Sequence, residues 1–270
     1  MNESFGNNVS PMSAEIVTEL ADGVLRLAIN RPDKRNALTV DMYAQLGDGL
    51  ERADTDPAVR AVLLHGHQRV FCAGNDLADF RNPPPVTPGE ERPVHRFLRL
   101  ISTVRKPLVA GVTGSAVGVG TTMLLHCDLV YAGPSARLQL PFVNLGLVPE
   151  AASTLLLPAV VGHQRAAELF LLGEPFDADR AVALGIVNAV VPDEQVVETA
   201  LATARTLAAK APAAVQLTKR LLRQGRAEAV ARQMAAENEH FSAQLRSPEA
   251  AEALAAFAER RPPDFSAFHE

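Results

Sequence analysis

Lys106-Pro107-Leu108-Val109-Ala110-Gly111-Val112-Thr113-Gly114-Ser115-Ala116-Val117-Gly118-Val119-Gly120 is the segment on which the reading of the fold turns. Leu108 to Val112 is an apolar run that reads as a buried strand. Gly114 to Gly120 then turns the chain and opens a helix through Leu125. A similar turn occurs earlier. Ala61-Val62-Leu63-Leu64 reads as a buried strand, and Val70-Phe71-Cys72-Ala73-Gly74-Asn75-Asp76 supplies the first of the two glycine turns along the chain, followed by a short helical piece at 77–80. Before these, residues 24–29 alternate like a strand, and Thr39 can cap a helix over 40–53 with Val40, Tyr43, Leu46 and Leu50 on one face. Strand, helix, strand is the rhythm of a parallel sheet, so the expected class is α/β.

Working outward, residues 1–13 read as a loose polar tail. Residues 82–93 hold five prolines and read as an exposed loop or lid, because no helix or ladder strand tolerates that density. A helix over 94–104, a strand at 128–132, a loop at 141–150, helices over 151–157, 162–172 and 178–184, and a strand at 186–191 follow. From 194 to 259 glycine nearly vanishes and alanine rises. That stretch reads as three or four helices broken at Pro212, Gly225 and Pro248. The expected organisation is a tail (1–13), an α/β core (14–193) and a helical C-terminal region (194–270).

The chain has 270 residues, 26 basic against 31 acidic, for a net charge of −5. That balance argues against nucleic acid as the main partner. Two cysteines outside any CxxC pair build no disulfide framework, which suggests a reducing compartment. The N-terminus lacks the basic start and apolar core of a signal peptide, and no apolar run is long enough to span a bilayer. The expectation is a cytoplasmic protein without a membrane partner.

The two glycine turns admit two readings. Free amides at a helix start can accept negative charge, and two turns could aim one N–H each at a single oxygen, as in an oxyanion hole. The same glycines also serve as ordinary tight turns. Gly118-Val119-Gly120 lacks the third glycine of GxGxxG, no GxxxxGK[ST] occurs, and Ser115 has Thr113 where GxSxG needs glycine. Nucleotide-binding and esterase readings therefore fail. His65 and His67 have no third ligand at metal spacing and read as a solvent-facing pair; His126 reads as a core residue and His163 as lying near a helix start. Asp128 reads as a cap or turn residue. Glu150 stands among apolar residues on both sides. It is either a carboxyl whose proton affinity is raised toward the working pH, suited to a general base, or a helix-start glutamate facing water.

Together these residues resemble the crotonase superfamily, the enoyl-CoA hydratase/isomerase group, over nearly the whole chain. Asn30-Arg31-Pro32-Asp33-Lys34-Arg35-Asn36-Ala37-Leu38 resembles its early CoA-side segment. Phe71 to Leu77 resembles its first oxyanion turn, and Lys106 to Gly120, with Cys127-Asp128, its second. Thr218 to Leu222 and Phe257 to Pro262 resemble its C-terminal helices. The resemblance implies a spiral of ββα units with a helical C-terminal trimerisation region, assembled as a homotrimer or a dimer of trimers. It implies an acyl-CoA thioester substrate and no cofactor beyond the coenzyme A that the substrate carries.

Carried over residue by residue, the resemblance assigns the oxyanion amides to Asn75 and Val119. It assigns substrate binding to Lys34, Ala37, Ala73 and Gly74, and to Asp76, Leu77, Gly118 and Phe142. Hydratases of the family place glutamates where this chain has Thr122 and Phe142, so water addition by two carboxylates is not expected. Gly146-Leu147-Val148-Pro149-Glu150 and Ala116-Val117-Gly118-Val119 instead resemble the family's enoyl-CoA delta isomerases. That implies β,γ-to-α,β isomerisation with Glu150 as the single base. A hydratase, a thioester hydrolase and a noncatalytic acyl-CoA-binding paralogue are the alternatives.

Overall fold

The computed structural model describes residues 14–67, 69–81 and 89–268. The expected tail and most of the proline-rich loop lie outside the described residues. β1 (Ile16–Ala21) and β2 (Val24–Ile29) form a hairpin across Asp22-Gly23. Both turn residues have positive φ, 52° and 75°, as a two-residue hairpin turn with the strand's own twist requires. α1 (Val40–Thr55) carries the chain back so that β3 (Ala61–Gly66) lies parallel to β2. Thr39 caps α1, its Oγ1 accepting the Met42 amide at 3.2 Å.

α2 (Leu77–Arg81) and α3 (Pro93–Thr103) lead to β4 (Leu108–Val112), β5 (Ser115–Val117) and α4 (Val119–Thr122). β6 (Leu129–Ala132) and β7 (Arg137–Gln139) precede α5 (Ser153–Val161) and α6 (His163–Leu171). β8 (Phe176–Asp177), α7 (Ala178–Ala183) and β9 (Ala189–Val190) follow. The C-terminal helices are α8 (Val196–Ala208), α9 (Pro212–Gln224), α10 (Ala227–Gln244) and α11 (Pro248–Glu259).

One sheet has the order β1-β2-β3-β4-β6-β9 and is parallel beyond the first hairpin. A smaller sheet, β5-β7-β8, stands beside it. β4 and β6 enter the large sheet, and the strand after each, β5 or β7, enters the small one. Each strand pair leads into a helix, which is the ββα unit that the resemblance implied.

The large sheet is covered on both faces, as parallel sheets generally are. Val62 and Leu64 of β3 point into the main core with α1 and α3. Ala61 and Leu63 point the other way, into a cluster closed by Ala200, Leu201 and Ala204 of α8. Two-sided burial explains why 61–64 is apolar at every position rather than alternating.

Several expectations need correction. His65 is buried, because β3 runs two residues past the apolar run and His65 falls on the α8 face with Leu63. Its Nδ1 pairs with the Gly66 carbonyl at 2.8 Å, and burial pushes it down to about 4. Only His67 is exposed. The helix expected from the second glycine turn through Leu125 is one short α-helical turn followed by a 3-10 turn, Met123–His126. The helix expected from 151 starts at Ser153, and the strand expected over 186–191 is confined to Ala189–Val190. β1, β5, β7 and β8 carry too little apolar periodicity in so few residues to be read from the sequence.

Candidate active site

The two glycine turns meet edge to edge. The Cys72 amide donates to the Ser115 carbonyl at 2.9 Å, and the Val117 amide donates to the Cys72 carbonyl at 2.9 Å. Gly120 makes this approach possible: a Cβ there would lie 2.5 Å from the Cys72 carbonyl oxygen. Gly74 and Gly118 have φ of +97° and +56°, conformations that favour glycine.

The 30–38 segment holds the first turn from its other side. Leu38 donates to the Gly74 carbonyl at 2.8 Å and accepts the Asp76 amide at 2.9 Å. Asn36 is buried: its Oδ1 accepts the Arg31 amide at 2.7 Å and its Nδ2 donates to the Val70 carbonyl at 2.6 Å. Arg31 reaches the Asp76 carboxylate at 2.5 Å. Asp76 therefore serves to fix the turn.

This pairing uses the Gly74 carbonyl and the Asp76 amide; the Asn75 N–H, which lies trans to the Gly74 carbonyl in the same planar peptide unit, points away from Leu38. Val119 is the first residue of α4, so its amide has no acceptor within the helix. Among the described residues neither amide has a backbone acceptor. Both residues line a cavity of about 740 Å³. All the binding residues expected from the sequence line the same cavity, exposed Lys34 and buried Phe142 among them. Phe241 of α10 and Ala253 and Phe257 of α11 contribute to it from the C-terminal helices.

Glu150 does not line the cavity itself. It is buried, 4 % exposed, and its Oε1 accepts the Thr122 hydroxyl at 2.9 Å. Thr122 closes the short helix that Val119 opens, so the carboxyl lies one helical turn from the proposed oxyanion amide. The backbone after Glu150 makes a sharp corner. Ala151 and Ala152 have φ of 63° and 54°, left-handed values that cost a non-glycine residue about 1 kcal/mol or more. A 2.8 Å hydrogen bond between His126 Nε2 and the Ala151 carbonyl braces the corner.

Burial pushes the Glu150 carboxyl up to about 7, against the lowering effect of the Thr122 hydrogen bond and with a further rise from the charge of Glu237. A carboxyl so placed changes protonation near neutral pH, as a general acid or base must. Tyr43 donates its hydroxyl proton to Asn75 Oδ1 and so holds that side chain.

Thr122, Tyr43 and Glu237 were not identified as partners of this site from the sequence. For Thr122 a signal existed: it occupies a position where the family's hydratases carry a glutamate. Among the described residues no group of three or more His, Cys, Asp or Glu side chains is placed to hold a metal ion.

Residues 19–267 match the enoyl-CoA hydratase/isomerase family. The 1,2-epoxyphenylacetyl-CoA isomerase of Escherichia coli is 35% identical over 257 residues, covering 93% of this chain and 98% of that protein. The 2,3-dehydroadipyl-CoA hydratase of the same organism is 35% identical over 253 residues, covering 93% and 98%. The crystal structure of an enoyl-CoA hydratase/isomerase from Pseudoalteromonas atlantica superposes with a TM-score of 0.90 at 46% identity, covering 93% of this chain and 100% of that one. With that match across the core, both glycine turns and the C-terminal helices, the chain belongs to the enoyl-CoA hydratase/isomerase family, the crotonase superfamily.

Proposed function

We propose that the protein is a β,γ-to-α,β enoyl-CoA isomerase in which Glu150 is the single base. The observation that carries this reading is the buried carboxyl of Glu150, set at about 7 and bonded to Thr122, which stands where the family resemblance gives hydratases one of their two glutamates. The reading requires the bound thioester to reach past the cavity wall to the Glu150 carboxyl, which removes a proton from C2 and returns it to C4. An allylic shift moves the proton only a few ångströms on one face, so one carboxyl can serve both carbons. The dienolate oxygen is held by the Asn75 and Val119 amides; each such donor is worth roughly 2.7–4 kcal/mol of barrier.

Phe142 and Thr122 keep an activated water out of reach, which favours proton shuttling over hydration. Lys34 and its neighbours bind the thioester's CoA side. The chain acts as a homotrimer or a dimer of trimers, assembled through its C-terminal helices, with no cofactor beyond the coenzyme A of the substrate. Product analysis with a β,γ-enoyl-CoA tests the reading. Double-bond migration is expected, and Glu150→Gln should abolish it while acyl-CoA binding persists. Retained turnover in that variant removes Glu150 from the mechanism. A β-hydroxyacyl-CoA product from an α,β-enoyl-CoA would mark the enzyme as a hydratase.

A further inference from the structure

Glu237 is a carboxyl that the proposed chemistry does not use, yet it is as deeply buried as Glu150, each being 4 % exposed. It sits on α10 and reaches across to the first turn of α5. Its Oε1 accepts the Thr154 amide at 3.0 Å and also the Thr154 hydroxyl. Gln233, one turn earlier on α10, donates to the Thr154 hydroxyl oxygen at 2.8 Å. Thr154 follows Glu150 across the left-handed Ala151-Ala152 corner. The second oxygen, Oε2, is buried without a hydrogen-bond partner among the described residues. A glutamate that merely caps a helix leaves its other oxygen in water. The Thr154 amide and hydroxyl, with the Ala152 amide and Gln233 beside them, offset part of the carboxylate's charge, but burial without an ion pair leaves it to be felt by its neighbours.

We propose that Glu237 is a positioning residue for Glu150: from α10 it pins the α5 turn that follows the Glu150 carboxyl and, through its own charge, sets how readily that carboxyl yields its proton. The inference rests on Glu150 being the base.

The surroundings leave this role to Glu237. Tyr43 of α1, Cys72 of the first turn and Thr122 of α4 face Glu150, and His126 braces its corner. Burial pushes the Tyr43 phenol well up, the Cys72 thiol up to about 12 and the His126 imidazole down to about 4. All three stay uncharged near neutral pH, and a threonine does not titrate there. Around α10, His95 and Arg99 of α3, Arg223 at the end of α9 and Arg226 just before α10 line a separate cavity of about 270 Å³. Lys219 of α9 is engaged with Asp128 at 2.6 Å. α5 itself carries no ionisable side chain. The charge of Glu237 raises Glu150, and burial raises Glu237 in turn. Two such carboxyls resist being ionised together.

Glu237→Gln keeps the shape and one acceptor oxygen but removes the charge. With a β,γ-enoyl-CoA as substrate, the acid limb of its kcat profile should shift to lower pH, since the base has lost an anionic neighbour. KM should change little, and the variant should remain folded by circular dichroism. An unmoved acid limb in the folded variant reduces Glu237 to a helix cap and overturns the proposal.

A carboxyl-carbon NMR titration of the wild-type protein, carrying 13C-labelled glutamate, gives the same answer even if that variant fails to fold. The Glu150 resonance is assigned by its loss in Glu150→Gln. Two coupled steps are expected; one independent step overturns the proposal. The titration reads ionisation rather than turnover. An active Glu150→Gln enzyme would therefore sink the assignment of the base without deciding the coupling.

Discussion

Glu150 keeps its proton because of what surrounds it. The ordinary carboxyl value is 4.5, and burial among apolar groups carries it to about 7. The folded state thus binds this proton more tightly than the unfolded chain does. That contribution is fully present below about 4.5 and is lost as pH rises through about 7. Its size is roughly 3 kcal/mol. Glu150→Gln should therefore unfold at higher denaturant than wild type at pH 8, by up to about that free energy, and at nearly the same denaturant at pH 4.5. Urea titrations at the two pH values check this; a variant no more stable at pH 8 would mean that the buried charge costs nothing. A site that sacrifices stability to hold a reactive group is a familiar trade. The apolar run on both sides of Glu150 made its burial legible in the sequence. Tyr43 and Glu237 were not legible as neighbours, because they come from α1 and α10, far from Glu150 along the chain.

At the scale of elements, the decisive contact is the one between the 70–76 turn and the β5–α4 turn. Their backbones exchange hydrogen bonds, and Gly120 faces the Cys72 carbonyl with no room for a side chain. Gly120→Ala should force the turns apart. It should cost about 1–3 kcal/mol of stability, and by moving the Val119 amide away from Asn75 it should lower kcat by on the order of 10²-fold. Denaturant unfolding and steady-state kinetics at 25 °C measure both. Unchanged kcat in a destabilised variant would separate the proposed oxyanion role of the Asn75 and Val119 amides from this contact. The two glycine turns were readable because glycine marks such turns directly. The short strand β5 that joins them was not, since three residues in the small sheet leave no periodicity to detect.

At the scale of the molecule, α9 presents Leu217 and Leu221, one turn apart, and Leu222, at 45%, 56% and 76% exposure. In the proposed trimer this apolar strip would be covered by a neighbouring copy. Leu221→Glu should shift the protein toward monomer in sedimentation equilibrium. A wild-type protein that sediments as a monomer would remove the assembly from the proposal. No helix among the described residues is long and apolar enough to cross a membrane. α10 and α11 return to the core and supply Phe241, Ala253 and Phe257 to the large cavity. The C-terminal helices thus complete the pocket as well as offering a surface.

The sequence by itself determined the class of fold, both glycine turns, the C-terminal helices and the family, because those follow from local propensity and from motifs that keep their order along the chain. It also pointed to Glu150 as a carboxyl in apolar company. Only the tertiary structure decided that His65 is buried, that the second sheet exists, and that Glu150 is buried and bonded to Thr122. These depend on which distant segments pack together. Burial and electrostatic coupling are properties of that packing, and no single stretch of chain carries them.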